Sequence, residues 1–249
     1  MKKCIQLGIL GVMGLALQVS AVPIGVDQII FQSGDGDPAA LHGTVNMTVS
    51  GNTLTIVLRN TSTDTGATPG SFNLLTGVAF NLPTGVTIGS GSAALTAGST
   101  GVNWDNTVLG NNVSQEWGYD NNPISNGPFQ DVTTLDVNTA VSSMTSTSDI
   151  KFQPGQLLPP EVLNGPEFGL LSAAVSPSEA GGLNAITDSV TITLNLSGTI
   201  TGDLLAFIDS HDVVLSFASP NTVPEGGSTA ILLGLALLGF GGLRRKLQK

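Results

Sequence analysis

The chain has 249 residues, 41% of them hydrophobic and only 10% charged, with one cysteine and a net charge of −10 at pH 7. Residues 22–222 hold two cations, Arg59 and Lys151, against seventeen acidic side chains, a balance that repels phosphate backbones and excludes nucleic acid as a partner. A single cysteine excludes an internal disulfide framework.

In chain order, the first element is a leader. Lys2 and Lys3 precede an uncharged apolar run from Cys4 to Leu17, and Val19, Ser20 and Ala21 supply the residues that a signal peptidase accepts before its cut. Residues 1–21 are therefore expected to be a signal peptide, removed after Ala21 together with Cys4. The following stretch to residue 222 is long enough for one domain with a sizeable core.

Ser33 to Pro38 places Asp35 and Asp37 two apart in a tight turn. Carboxylates and carbonyls in such a turn can converge on calcium, although the bidentate Glu of an EF-hand loop is missing; Asx-turn chemistry accounts for the same residues. Asp209, His211 and Asp212 are a weaker candidate for a cation, and no other cofactor is expected.

From Leu41 the chain alternates: Val45, Met47 and Val49 with Thr44, Asn46, Thr48 and Ser50, then Leu54, Ile56 and Leu58 after Gly51 and Asn52. That pattern predicts a β-hairpin with a two-residue turn. Shorter strand candidates follow at Gly77 to Leu82, Val86 to Ile88, Trp104 to Leu109, Glu116 to Tyr119, Val132 to Val141 and Phe168 to Ala174. Val190, Ile192, Leu194 and Leu196 alternate again with hydroxyl and amide residues, and two more strands are expected at Leu204 to Ile208 and Val213 to Phe217. No segment of the body repeats at helical spacing, so the fold class is all-β: two packed antiparallel sheets in a β-sandwich, or a jelly roll. Thr61 to Ser71 and Ser142 to Asp149 are expected as exposed loops. The prolines at 154, 159, 160 and 166 mark a crossing between sheets.

Catalytic motifs are missing: no H-E-x-x-H, no G-x-S-x-G and no P-loop. His42 falls on the outward phase of its strand and His211 in a turn between Asp209 and Asp212. Glu116, Glu161, Glu167 and Glu179 include no spacing that forces a glycosidase pair together, so an enzyme is not expected. Trp104, Trp117, Tyr119 and Phe129 lie within residues 104–129, interleaved with Glu116, Asp120, Asn121 and Asn122. Two readings stand. Trp104, Trp117 and Tyr119 could stack on sugar rings beside those polar groups, or the rings could plug the core of a sandwich.

The tail has three parts. Val223, Pro224, Glu225, Gly226 and Gly227 form an extended, turn-prone segment. The run from Ser228 to Leu243 is uncharged and, as a helix at 1.5 Å per residue, spans roughly 24 Å against a hydrocarbon core of about 30 Å. Arg244, Arg245 and Lys246 then form a stop that belongs on the cytoplasmic side of a membrane.

This tail, VPEGGSTAILLGLALLGFGGLRRK, resembles the PEP-CTERM class of bacterial sorting signals and is most similar to the sub-type whose motif reads V-P-D-S-G. The resemblance divides the chain into signal peptide (1–21), β-sandwich body (22–222) and sorting signal with a short transmembrane helix (223–249). It implies an exosortase-type partner in the inner membrane of a Gram-negative-type bacterium. That enzyme would cut near Pro224 and Glu225 and pass the body to the cell surface or the exopolysaccharide matrix. The body is then expected to act as a structural or adhesive surface protein. The alternative is a carbohydrate-binding or carbohydrate-active module displayed in the same place.

Overall fold

A computed structural model describes residues 21–31, 41–63, 74–123, 129, 136–143, 167–180 and 183–218. Within them the chain forms β1 (Val22–Ile24), β2 (Gln28–Phe31), β3 (Gly43–Ser50), β4 (Thr53–Asn60), β5 (Leu74–Phe80), β6 (Thr87–Leu95) and β7 (Gly101–Val102). After a short helix, α1 (Asn106–Leu109), come β8 (Trp117–Asp120), β9 (Thr139–Ser143), β10 (Leu170–Leu171), β11 (Ala185–Thr187) and β12 (Ser189–Ser197). A second helix, α2 (Leu204–Asp209), precedes the last described strand, β13 (Val214–Ala218).

The first sheet has the order β1-β3-β4-β12-β6 and is antiparallel throughout. Its centre is the expected hairpin: Ser50 pairs with Thr53 across Gly51 and Asn52, and Gly51 takes a φ of 59°, the positive value that the first position of a tight hairpin turn requires. Along β12 the period of two is strict. Val190, Ile192 and Leu194 are buried, whereas Thr191 and Thr193 are half-buried and Asn195 faces solvent.

The second sheet has the order β2-β13-β5-β10-β11-β7, with β9 joined to the far half of β5 and β8 joined to β9. Purely antiparallel sheets were expected; here β2 pairs with β13 and β10 with β11 in parallel. Alternation cannot reveal strand direction. Parallel neighbours need a crossover connection, which residues 172–184, with the one-turn 3-10 helix Pro177–Ala180, supply for β10 and β11.

At β5 the sheet forks, because one edge carries β13 while the other carries β10 at Leu75 and then β9 from Gly77 onward. Gly77 permits the fork: a Cβ there would lie 2.5 Å from the Cβ of Ser142 and 2.6 Å from the Val141 carbonyl.

The two sheets close on one core, in which Phe80, Trp117 and Phe217 of the second meet Met47, Ile56 and Ile192 of the first. Burying each such side chain is worth about 1.5–3 kcal/mol relative to leaving it in water. The outer face of the second sheet is buried too. Every residue of β5, β9 and β13 is buried, with Phe129 packed on Ala79, Ala140 and Val214.

Several expectations need correction. Leu204 to Ile208 is helix, not strand, because Asp203 caps it: its Oδ1 accepts from Leu205 N (3.0 Å) and Ala206 N (3.2 Å), while Leu204 and Ile208, four apart, turn one buried face inward. Trp104 to Leu109 is likewise no strand, since Asp105 accepts from Thr107 N at 2.8 Å and starts α1. Within Phe168 to Ala174 only Leu170 and Leu171 pair as a strand. Ser142 and Ser143 belong to buried β9 rather than to an exposed loop. The expected signal peptide up to Ser20, the expected proline-rich crossing and the tail lie outside the described residues, as does most of the expected loop from Thr61 to Ser71.

Candidate functional site

β8 alternates into the core at every second residue. Trp117 is fully buried there and Tyr119 nearly so, the Tyr119 hydroxyl donating to the Gly89 carbonyl at 3.2 Å. Neither ring presents a face on which a sugar could stack, so both serve as core plugs. Among the described residues the Trp117 indole N–H finds no acceptor.

Trp104 is half-buried and joins two strands of the second sheet to the turn that carries Phe168. Its Nε1 donates to the Ala185 carbonyl of β11 at 2.9 Å, its ring tilts at 57° against Phe168 with centroids 5.8 Å apart, and it rests on Gly101 of β7. Phe129 is fully buried on the outer face of that sheet. Of the four aromatic residues close together in sequence, Trp117 and Tyr119 thus lie inside the main core, Trp104 packs against its margin, and Phe129 belongs to a separate cluster on the outer face.

The carboxylates are used structurally where they are described. Glu116 is buried at the end of the 3-10 helix Ser114–Glu116. Glu167 is buried beside Asn184, whose Nδ2 donates to its Oε1 at 2.8 Å. Burial pushes the Glu167 carboxyl above its ordinary value, against the hydrogen bonds from Asn184 that pull it down. Glu161 and the side chain of Glu179 lie outside the described residues.

The turn after α2 ties neighbouring segments together. Asp209 accepts from Gly25 N (3.1 Å), and Asp212 accepts from Asp136 N (2.7 Å). The His211 ring stacks on Phe207 at 4.1 Å, with Nδ1 2.7 Å from the Phe207 carbonyl and Nε2 3.6 Å from the Asp136 carboxylate. His42 is exposed beside an open cleft of about 370 Å³ that Val26, Asp27, Gln28, Ile29 and Gly43 also line. The Asp27 carboxylate in that cleft is occupied by Val213 N at 2.8 Å. Among the described residues no three His, Cys, Asp or Glu side chains could hold a metal ion. Asp35 and Asp37 lie outside them.

Sequence reasoning missed the short polar side chains that satisfy backbone groups of buried residues in and beside the strands. Asn138 accepts from Leu82 N and donates to Leu82 O, both at 2.8 Å, and Ser114 both accepts from Ala93 N (2.9 Å) and donates to Ala93 O (3.2 Å). Short polar residues flanking strands are their only sequence signal.

β13 is the last described strand and ends at Ala218; after three intervening residues, the model of the VPDSG-CTERM motif family matches residues 222–247. The tail is a VPDSG-CTERM sorting signal. Val223, Pro224 and Gly227 keep the letters of that motif, while Glu225 and Gly226 stand in place of Asp and Ser. No curated protein and no solved structure matches the chain. A VPDSG-CTERM signal is a variant of the PEP-CTERM exosortase signal, and it suggests export, membrane transit and processing by an exosortase-type enzyme. No helix among the described residues is long and apolar enough to cross a membrane; the apolar run from Ser228 to Leu243 lies outside them.

Proposed function

We propose that the chain is an exosortase-processed structural or adhesive protein of the cell surface or exopolysaccharide matrix, and that its body acts by being displayed rather than by catalysis. The observation that carries this reading is the VPDSG-CTERM match directly behind the last strand of the β-sheet body. The signal peptide starts export. The short apolar run then holds the tail in the inner membrane, and Arg244, Arg245 and Lys246 resist being pulled through, each costing about 2.5 to 3.5 kcal/mol at the bilayer centre. The enzyme cuts near Pro224 and Glu225 and hands over the body. The net −15 of residues 22–222 keeps the displayed body soluble and away from anionic lipid.

Mass spectrometry of the protein recovered from intact cells tests this directly. Changing Pro224 and Glu225 to Ala should leave the uncut precursor in the membrane fraction, while wild type at the surface should lack residues 243–249. Surface protein that still carries Leu243 to Lys249 would make the tail a lasting anchor and end the sorting reading.

A carbohydrate-binding role draws support from one residue, Trp104, which keeps partial exposure where Trp117 and Tyr119 do not. Glycan-array binding that Trp104→Ala abolishes would favour that module; binding to no glycan would leave the structural role.

A further inference from the structure

Whatever finally holds this body holds it by the chain that leaves β13, so the inference below rests on the sorting reading. β13 is bonded on both edges. Val214 to Phe217 pair in parallel with Gln28 to Phe31 of β2, and Val214 to Ala218 pair antiparallel with Leu74 to Ala79 of β5. All five of its residues are buried, Leu215 and Phe217 in the core between the sheets and Val214 on the outer face against Phe129, Ala79 and Ala140.

Both ends of the strand are tied by further bonds. Ahead of it, Val213 N donates to the Asp27 carboxylate at 2.8 Å, and the Val213 carbonyl accepts from Asp27 N at 2.9 Å. Near its exit, where the β5 register shifts between Ser216 and Phe217, the buried Thr76 hydroxyl lies 3.0 Å from the Ser216 carbonyl and 3.2 Å from its hydroxyl. The opposite terminus is built differently. β1 has three residues, pairs along a single edge with β3, contains a proline that cannot donate and begins at Val22, which is 42% exposed.

We propose that β13 is a tension-bearing clamp, which carries load from the C-terminal attachment into the core while the N-terminal strand is free to peel. Tension applied at Ala218 runs along the strand axis. Hydrogen bonds of both ladders lie across that axis and are loaded together in shear, and the strand cannot slip without dragging Leu215 and Phe217 out of the core. Tension at Val22 reaches one three-residue ladder on an edge, backed by buried Ile24 and the Gly25 N bond to Asp209, and so meets fewer ladder bonds at once. Forced unfolding is governed by the barrier that must be crossed, so the same body resists the two pulls with different strength.

Single-molecule force spectroscopy on the full chain in detergent, with Cys4→Ser and a common anchor at Asn195→Cys on β12, tests the clamp. The second handle is placed either at Ala21→Cys or at Gly227→Cys. Rupture force from the C-terminal handle should exceed that from the N-terminal handle by about threefold, in proportion to the ladder loaded together. Thr76→Val should lower the C-terminal rupture force and leave the N-terminal one unchanged. Equal forces from both handles, an earlier yield on the C-terminal side, or an equal effect of Thr76→Val on both would overturn the proposal. The measurement needs no processing enzyme, so it fails or succeeds separately from the mass-spectrometric test of sorting.

Discussion

Asn121 holds Ile88 by both atoms of its amide: the Ile88 N–H donates to Oδ1 at 2.8 Å, and Nδ2 donates to the Ile88 carbonyl at 3.1 Å. β6 is the last strand of the first sheet; on its outer edge Leu95 N and the Ala93 carbonyl bond to the Asn111 and Val113 backbone, and an uncharged edge left open before them is a template for pairing with another chain. Asn121 therefore stands in for a neighbouring strand's peptide, as Ser114 does at Ala93 further along the same edge.

Replacing Asn121 with Ala should cost about 1–3 kcal/mol, since it strips the partners from two ladder groups at a partly buried edge. A lowered urea midpoint would register the loss, and light scattering should show faster association on warming. Asn121→Asp keeps the acceptor for Ile88 N and should recover part of the stability. An unchanged midpoint in Asn121→Ala would mean that water replaces the amide without penalty.

Gly101 is the position least tolerant of a methyl group beside Trp104. A Cβ there would sit 2.6 Å from the Trp104 carbonyl oxygen and 2.7 Å from two atoms of its ring. Gly101→Ala should therefore destabilise the body by about 1–3 kcal/mol through overpacking. It should also displace the indole from Ala185 and red-shift the tryptophan emission, because Trp117 is buried elsewhere and contributes a constant background.

Glu167 gives the body a pH-dependent element of known sign. Its carboxyl titrates above its ordinary value when folded, so in the pH range above the unfolded value the native state binds more protons than the unfolded chain. Stability is fully present below the unfolded value and is lost as pH rises through the folded one. Glu167→Gln keeps an oxygen for Asn184 and removes the charge. It should therefore unfold at a higher denaturant concentration than wild type at pH 7 and at the same concentration at pH 3. A variant weaker than wild type at neutral pH would show that the ionised carboxylate is the stabilising form.

The parts of the fold readable from residues alone are those with one wet face. β3, β4 and β12 bury every second side chain, so period two is written directly in Val45 and Met47, Leu54 to Leu58 and Val190 to Leu194. β5, β9 and β13 are buried on both faces, which removes the alternation and leaves runs such as Leu74 to Phe80 without a phase. Leu204 to Ile208 is a short apolar run that suits either structure until Asp203 is recognised as a cap.

The sorting tail needed no fold to be read, because motif, apolar run and basic stop are a linear order that an enzyme and a bilayer meet along the chain. An internal disulfide likewise needed no fold to exclude, because these residues hold one cysteine. Which way Trp117 and Tyr119 face, that β2 lies parallel to β13 across most of the chain's length, and that the tail departs from a strand bonded on both edges were decided only in three dimensions. Local patterns record what each residue does toward water, whereas strand neighbours are chosen by loop closure and packing between segments far apart in sequence, which no local window contains.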